Sequence, residues 1–308
     1  MNGVLVVDKP SGPTSHDVVA RVRRAMGIDR IGHTGTLDPL ATGVLPLVIG
    51  RATRLAQYLT ADDKEYVAGI RFGAVSSTYD ALGLLTAAVG GATDVDITRA
   101  SLEQKLEQFR GSYEQIPPPF SAKKVAGTRA YRLARLQQPV TLKPVQVTVS
   151  LLELLSLDGV VAVVRLGCSS GYYVRSLAHE LGQHLGCGAF LQTLQRTRAG
   201  SFRIEEAVPL ATVESEKADA ARRITSMNRL LPGIPGLTVT SGGIRRVSHG
   251  NSLSPEDFED AAAASAILSG PADRDPVSRI RILDPEGALL AIGEARPGGL
   301  LHPVVVLM

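Results

Sequence analysis

Residues 32–45 read GHTGTLDPLATGVL, a stretch of small and turn-forming residues that contains a single carboxylate, Asp38. Glycine adopts positive φ angles and proline fixes φ, so a run rich in both predicts a stiff turn. The segment PLVIG (46–50) that follows predicts a strand. The stretch is therefore either a plain turn before a strand or a loop that holds one carboxylate toward a substrate. A lone loop carboxylate is more often a turn acceptor or a helix cap, and both interpretations stay open here.

Helix and strand patterns alternate on both sides of this loop. Residues 3–10 predict a short buried strand that ends at Lys9-Pro10, and residues 14–27 predict an amphipathic helix capped by Thr14 or Ser15. Further apolar patterns predict strands at 64–73 and 189–202 and a pair of strands on either side of a turn at Asp158-Gly159. Helical patterns occur at 51–59, 101–111, 129–137 and 172–186, and Ser101 is the predicted cap of the second of these helices. The mixture predicts an α+β protein.

The composition and length predict about two folded domains. The chain has 308 residues, of which 44% are hydrophobic and 20% are charged, and it can bury a sizeable core. From about residue 231 the pattern changes to a Pro- and Gly-rich opening, an acidic and Ala-rich insert at 254–276, and short terminal strands. We therefore expect a larger domain over residues 1–230 and a small, mostly β domain over residues 231–308.

Several protein classes are disfavoured by the sequence. Cys168 and Cys187 form no CxxC pair, which disfavours a zinc knuckle or a redox motif and favours two buried thiols. No apolar stretch approaches the ~20 residues of a membrane span, and the N-terminus lacks the basic region of a signal peptide. We expect a cytoplasmic protein with no membrane partner.

Positive charge is concentrated in the middle of the chain. Between Arg110 and Leu152 the local net charge is +6, twice the +3 of the whole chain. A basic surface with nearby aromatic residues suits RNA loops or single strands, although basic residues also simply keep a helix face solvated. The seven basic residues are Arg110, Lys123, Lys124, Arg129, Arg132, Arg135 and Lys143, and the one acidic residue is Glu114.

Arg175 is a candidate partner for Asp38. It lies in the first turn of the helix predicted at 172–186, where the helix dipole disfavours a cation, so we expect its partner elsewhere in the chain. A nucleophilic aspartate needs such a cation to stay ionised in a dry site, although a purely structural salt bridge is also compatible. Tyr66 is either a half-buried core residue or a stacking platform for a base, and His33 either a general base or a hydrogen-bonding residue. These residue types by themselves do not identify which reaction the protein catalyses.

Five motifs extend this interpretation. They are DKPSGPTS (8–15), GHTGTLDPLATGVLPLVIGRATRL (32–55), DKEYVAGIRFG (63–73), GCSSGYYVRSLAHELG (167–182) and LQRTRAGSF (194–202). Together they resemble the bacterial TruB family, the tRNA pseudouridine synthases that act on uridine 55 of the T loop. The segment LLAIGEARPGGLLHPVVVL resembles the C-terminal PUA-like domain of that family.

The resemblance implies a fold and a reaction. It implies an α+β pseudouridine synthase fold, with a mixed and largely antiparallel sheet flanked by helices, and a small β-rich PUA-like RNA-binding domain. It implies that uridine 55 is flipped out of the T arm of tRNA and isomerised without cofactor or metal, by a monomer with no obligatory protein partner. An RNA-folding factor remains an alternative. A guide-RNA-dependent relative is less compatible, because the chain lacks the long basic tail expected there.

The resemblance also implies roles for nine residues. Asp38 begins the isomerisation, by attack at C1′ or by proton removal from C2′, Arg175 pairs with it, and Tyr66 stacks on the flipped base. The other six residues are expected to bind substrate or to support the loops around it. They are His33, Asp80, Leu194, Lys9, Lys124 and Tyr173. Three positions depart from the family pattern: Phe120 replaces a usual Tyr, Lys123 replaces a mostly apolar residue, and Tyr172 stands where Thr is common. The insert at 254–276 is also atypical of the family.

Overall fold

A mixed β-sheet lies at the centre of the protein, which is described here by a computed structural model. The structure describes residues 1–60, 63–87, 97–121, 123–125, 127–136, 138–268 and 279–308. The strands are β1 (Gly3–Lys9), β2 (Ile31–His33), β3 (Thr42–Ile49), β4 (Lys64–Phe72), β5 (Ala74–Ser76), β6 (Leu85–Ala87), β7 (Gly111–Gln115), β8 (Lys124–Val125), β9 (Thr128–Arg129), β10 (Val145–Asp158), β11 (Val161–Cys168), β12 (Ala189–Ala199), β13 (Phe202–Arg203), β14 (Val208–Pro209), β15 (Thr225–Ser226), β16 (Gly236–Thr238), β17 (Arg279–Leu283), β18 (Leu289–Arg296) and β19 (Leu300–Val306).

Nine α-helices are present in the described ranges, and short 3-10 turns supplement them. The helices are α1 (Ser15–Met26), α2 (Ala56–Thr60), α3 (Arg99–Leu106), α4 (Ala130–Arg135), α5 (Val174–His184), α6 (Leu210–Ser215), α7 (Lys217–Arg222), α8 (Ser241–Ser248) and α9 (Ala261–Leu268). The 3-10 turns are Gly50–Leu55, Glu107–Phe109, Ile204–Glu206, Met227–Arg229 and Pro255–Asp257. Within those ranges, no helix is long and apolar enough to span a membrane.

The central sheet runs in the order β14-β1-β3-β12-β4-β11-β10-β7. Most neighbours are antiparallel, while β12 is parallel to β3 and β14 is parallel to β1. The strand between β3 and β4 is therefore β12, which comes more than 100 residues later in the chain. This largely antiparallel mixed sheet confirms the fold class predicted from the sequence.

The two faces of the sheet have different coverings, which follow from the alternation of side chains along each strand. On β1, Leu5 and Val7 point to the face covered by α1, α3 and α5, which we call the helical face. Val4 and Val6 point to the opposite face, where they pack with residues of β18 and the C-terminus such as Ile292. We call this the β face.

The C-terminal part forms its own four-stranded sheet in the order β16-β17-β18-β19. Its inner cluster includes Val239, Leu253, Ile280 and Leu301, all fully buried or nearly so. This small β sheet packs on the β face of the central sheet. Polar links at the edge of the contact come from Arg51, which donates to the Leu307 carbonyl, and from Arg54, which donates to the Val306 carbonyl.

Local signals identified some helix ends correctly and others wrongly. Thr14 is the cap of α1, and its side chain forms a reciprocal capping box with Asp17. The predicted Ser101 cap is wrong, because α3 begins at Arg99 and the Thr98 hydroxyl accepts from the Ser101 N–H at 3.1 Å. Thr98 lies directly before this helix and is its N-terminal cap. The segment between β5 and α3 contains the short strand β6, and residues 88–96 lie outside the described ranges.

Candidate active site

Asp38 lies in a tight loop between β2 and β3 that is anchored to α1. The Asp38 carbonyl accepts a hydrogen bond from the Ala41 N–H at 3.0 Å, which closes the turn. The Leu37 N–H donates to the Ser15 hydroxyl at 2.8 Å, and that hydroxyl donates to the Leu37 carbonyl at 3.0 Å. Ser15 is buried at the start of α1. The loop backbone is thus fixed next to the carboxylate.

Lys9 fixes the other side of the same loop. Its side chain is 0% exposed at the end of β1, and its Nζ donates to the Ala41 carbonyl at 2.6 Å, to the Pro39 carbonyl at 3.3 Å and to the Pro10 carbonyl at 3.0 Å. Burial lowers the pKa of Lys9 to about 8, and the negative charge of Asp38 opposes that shift. Lys9 therefore supports the loop from beneath.

Arg175 joins the Asp38 loop to two other segments. Its Nε lies 2.9 Å from one Asp38 carboxylate oxygen, and its Nη2 donates to the other oxygen at 3.3 Å. The guanidinium also donates to the carbonyls of Thr78 (3.1 Å) and Phe120 (3.0 Å), and it lies 3.8 Å from an Asp80 carboxylate oxygen. Arg175 is only 6% exposed, whereas the Asp38 side chain is 36% exposed. The cation at the helix N-terminus thus has its partners elsewhere in the chain, as the sequence predicts.

Asp80 is buried behind Arg175, away from the cavity that Asp38 faces. One of its carboxylate oxygens accepts from the Thr78 hydroxyl at 2.6 Å and from the Leu82 N–H at 3.0 Å. Its second oxygen faces Arg175. The Arg175 guanidinium thus has the carboxylates of both Asp38 and Asp80 as neighbours.

A cavity of about 300 Å³ opens beside Asp38. Its lining includes five of the residues predicted from the sequence, namely Asp38, Tyr66, Tyr173, Arg175 and Leu194. Tyr66 is a buried residue of β4, and burial raises the pKa of its phenol. The cavity lining thus combines a carboxylate and a guanidinium with aromatic and aliphatic side chains, a combination typical of small-ligand sites.

Arg196 is a lining residue that the sequence reasoning missed. It is 1% exposed on β12, pairs with Tyr66 across the sheet, and donates to the carbonyls of Val44 (2.7 Å) and Gly35 (3.2 Å). Residues two apart on a strand share a face, so the predicted role of Leu194 already placed Arg196 on the same side. That alternation is the signal that could have found it.

Comparisons with known proteins agree with this geometry. The family model for the TruB family pseudouridylate synthase N-terminal domain matches residues 23–174, and the model for the tRNA pseudouridylate synthase B C-terminal domain matches residues 175–232. The tRNA pseudouridine synthase B of Solibacter usitatus is 45% identical to this chain over 100% of both sequences. The chain belongs to the TruB family. The tRNA pseudouridine synthase B of Thermobifida fusca is 41% identical to this chain, in an alignment that covers 99% of this chain and 98% of the relative.

Solved structures share the fold of this TruB family member. The crystal structure of a Cbf5-Nop10-Gar1 complex is similar with a TM-score of 0.71 and 26% identity, covering 99% of this chain and 85% of that chain. The structure of an H/ACA RNP bound to a substrate RNA containing 2′-deoxyuridine gives a TM-score of 0.70 and 25% identity, with the same coverage of 99% and 85%. As a member of the TruB family, the chain is a pseudouridine synthase, which is an isomerase.

His33, another residue predicted for the TruB site, is not among the described residues that line the cavity. His33 is half-buried in β2, its ring is edge-on to His16 with centroids 5.4 Å apart, and its Nδ1 accepts from the Gly35 N–H at 3.4 Å. Burial lowers the pKa of His33. Lys124 begins β8, and its side chain lies outside the described part of the structure.

Gln115 is a second residue of the TruB site that sequence reasoning missed. Its side-chain amide accepts from the Tyr173 N–H at 2.8 Å and donates to the Tyr173 carbonyl at 3.1 Å. Gln115 is 0% exposed and ends β7, so it holds the cavity wall just before α5. No local pattern marks this residue, because its role depends on a contact with a residue 58 positions away.

Proposed function

We propose that this chain isomerises uridine 55 in the T loop of tRNA to pseudouridine. The observation that carries the proposal is the Asp38 carboxylate, held 2.9 Å from the Arg175 guanidinium at the mouth of a cavity with Tyr66 in its lining. The relatives from Solibacter usitatus and Thermobifida fusca, both tRNA pseudouridine synthases B, support tRNA as the substrate.

Base flipping is the first step of the proposed reaction. A uridine in a stacked loop cannot reach Asp38, and its extrusion costs a few kcal/mol. Stacking of the extruded base on Tyr66 returns about 1–3 kcal/mol. A volume of about 300 Å³ suits a single nucleoside, since it lies at the small end of ligand pockets. We assign Leu194 and Tyr173 to the apolar and aromatic walls that hold the base.

The isomerisation is an internal rearrangement. The C1′–N1 bond breaks, a C1′–C5 bond forms, a proton leaves C5, and N1 gains a proton, so product and substrate have the same composition. No oxidant, reductant or group donor is required. Asp38 starts this sequence either by attack at C1′ or by proton removal at C2′, and both routes need a charged carboxylate. Arg175 compensates that charge, while Asp80 orients Arg175.

Binding of the T arm is assigned to the basic middle of the chain. Arg110, Lys123, Arg132 and Lys143 are exposed there, as expected for groups that contact phosphates. We add His33 and Lys124 as contacts to the RNA outside the cavity, and Lys9 as the support of the catalytic loop. Residues 231–308 are proposed as a second, PUA-like RNA-binding domain after the catalytic domain of residues 1–230. The proposed enzyme acts as a cytoplasmic monomer without a protein partner.

Tritium release from C5-labelled uridine in an unmodified tRNA transcript tests the proposal. The wild-type chain should release tritium with no added RNA or protein, and a transcript with cytidine at position 55 should release none from that site. Asp38→Asn should lower turnover by at least about 1,000-fold because the amide carries no charge to start the reaction. The exposed Asp29 offers a matched control, since Asp29→Asn should leave turnover unchanged.

The outcomes separate the proposed enzyme from its alternatives. Retained turnover in Asp38→Asn would refute the proposed role of this carboxylate. A requirement for an added guide RNA would instead favour the guide-dependent class. The exposed basic residues also suit a tRNA-folding factor, and refolding of tRNA by the inactive Asp38→Asn protein would show that this second activity exists independently of catalysis.

A further inference from the structure

Tyr79 adopts an unusual backbone conformation next to the proposed active site. Its φ angle is +65°, and among the described residues only Leu231 is another non-glycine residue with a positive φ. Such a conformation is disfavoured for a residue with a bulky side chain, so neighbouring contacts must hold it in place. Tyr79 lies between Thr78 and Asp80, the two residues of this turn that face Arg175.

An aromatic stack holds the Tyr79 side chain against α5. The rings of Tyr79 and His179 are parallel within 5°, and their centroids are 3.7 Å apart. His179 lies four residues after Arg175 on α5, so both side chains project from the same side of the helix. The helix therefore contacts this turn at two points. Arg175 contacts Thr78 and Asp80, and His179 contacts Tyr79.

The opposite side of the turn is bonded to β12. The Leu191 N–H donates to the Tyr79 carbonyl at 2.9 Å, and the Ala81 N–H donates to the Leu191 carbonyl at 2.9 Å. Within the turn, the Tyr79 N–H donates to the Ser76 carbonyl at 3.1 Å. The backbone is thus fixed to the strand that carries Leu194, and the Tyr79 ring adds a link to the helix beside the contacts of Arg175.

The stacked rings behave as an apolar pair. Burial lowers the pKa of His179, and its Nδ1 is buried with no hydrogen-bond partner among the described residues. Burial also raises the pKa of the Tyr79 phenol, and the neighbouring Glu180 carboxylate raises it further. Neither ring lines the cavity at Asp38. Their effect on the reaction can therefore act only through the residues between them and the cavity.

We propose that the Tyr79–His179 stack is a positioning device that sets the orientation of the Arg175 guanidinium toward Asp38. The inference rests on the proposed function, in which Arg175 compensates the charge of Asp38. With the stack in place, the Thr78 carbonyl and the Asp80 carboxylate are held at the distance that directs the guanidinium to the catalytic loop. Loss of the stack leaves the turn joined to α5 through Arg175 and lowers the rate of the chemical step, while RNA binding is preserved.

Substitutions of Tyr79 separate the ring from the backbone strain. Tyr79→Phe keeps the ring, Tyr79→Ala removes the ring and keeps the strain, and Tyr79→Gly removes both. Under single-turnover conditions, Tyr79→Ala and Tyr79→Gly should both lower the rate of tritium release by about 10- to 100-fold, the cost of a misplaced group, with the tRNA Kd within about twofold of wild type. Tyr79→Phe should stay within about twofold of the wild-type rate.

Stability distinguishes positioning from simple folding. Tyr79→Gly should unfold at a higher temperature than Tyr79→Ala, because glycine accepts a positive φ, yet it should be no more active. Leu82→Ala is the matched control, since Leu82 is exposed in the same turn and should affect neither quantity. Recovery of activity in Tyr79→Gly would overturn the proposal, because it would assign the whole effect to strain.

The partner ring provides a second test. His179→Phe should retain the stack and the rate, whereas His179→Ala should match Tyr79→Ala. The double variant with alanine at both positions should be no slower than either single variant, because both remove the same contact. Losses that multiply would overturn the proposal. Asp38→Asn, measured in parallel, separates the two claims: an active Tyr79→Ala with an inactive Asp38→Asn rejects only the stack, and an active Asp38→Asn rejects the proposed function.

Discussion

On the helical face of the central sheet, cations are buried around the cavity, whereas the buried cluster on the β face is apolar. Lys9 continues the side-chain alternation of Leu5 and Val7 and is completely buried, and Arg175 and Arg196 are almost as inaccessible. The β face instead packs residues such as Val4 and Ile292, and its arginine contacts lie at the exposed edge.

The difference indicates how each face contributes. A buried cation must recover its lost hydration through hydrogen bonds and opposite charges, so it is weak evidence for stability and stronger evidence for function. The three cations donate to backbone carbonyls and, for Arg175, also to Asp38. We therefore expect substitutions on the helical face to change the chemistry and those on the β face to change the free energy of unfolding.

Among the substitutions that compare the two faces, replacement of Arg175 by lysine should have the largest effect. A single ammonium cannot reach both Asp38 oxygens and the carbonyls of Thr78 and Phe120, which the planar guanidinium contacts together. We expect Arg175→Lys to lower the single-turnover rate by about 100- to 1,000-fold, equivalent to about 3–4 kcal/mol in the barrier. Arg222→Lys, at an exposed position of α7 away from the basic middle of the chain, is the control. A wild-type rate in Arg175→Lys would contradict this prediction, because it would mean that a positive charge next to Asp38 is enough for the reaction without the geometry of the guanidinium.

Truncation of Ile292 tests the β face. Ile292 is fully buried against the central sheet, so Ile292→Ala should lower the free energy of unfolding by about 3 kcal/mol, measured by urea denaturation. The rate of tritium release should remain at the wild-type value at temperatures where the variant is folded. Val304→Ala, at a partly exposed position, should have little effect on either quantity. A rate loss in folded Ile292→Ala would show that the two faces are coupled.

The pH dependence of stability should report the burial of Lys9. Because its folded pKa is about 8 rather than 10.5, the unfolded state binds more protons between these values, so stability rises with pH across this window. We expect a contribution of about 2 kcal/mol between pH 8 and pH 10, present in wild type and absent in Lys9→Met. Urea denaturation at the two pH values measures it. Lys143→Met should retain the wild-type rise, and identical slopes in wild type and Lys9→Met would contradict the prediction.

Glu180 on α5 should give the smallest change in the free energy of unfolding, and its pH dependence should have the opposite sign to that of Lys9. Burial raises its pKa from 4.5 to about 7, so the unfolded state loses this proton first and stability falls as pH rises through that interval. At pH 8 the free energy of unfolding of Glu180→Gln should therefore be about 1 kcal/mol higher than that of wild type, after allowance for partial solvent screening. Near pH 4.5 the two free energies of unfolding should be equal. The exposed Glu259→Gln should show no such difference.

The sequence predicts features that depend on nearby residues better than those that depend on distant ones. The Thr14 cap and the hairpin at Asp158-Gly159 follow from local turn chemistry, and both are present. The need of Arg175 for a distant partner also follows from its place at a helix N-terminus. The roles of Gln115 and Arg196 could not be derived in this way, because their partners lie 58 and 152 residues away.

The place of β12 between β3 and β4 has a consequence for synthesis. Until residues 189–199 leave the ribosome, β4 presents an unpaired edge to the solvent, β3 lacks its pairing at Thr42 and Gly43, and the cavity lacks Leu194 and Arg196. Contacts between segments so far apart in the chain close slowly. A nascent chain therefore cannot become active before about two thirds of it has been translated, and its open strands need protection from aggregation during that interval.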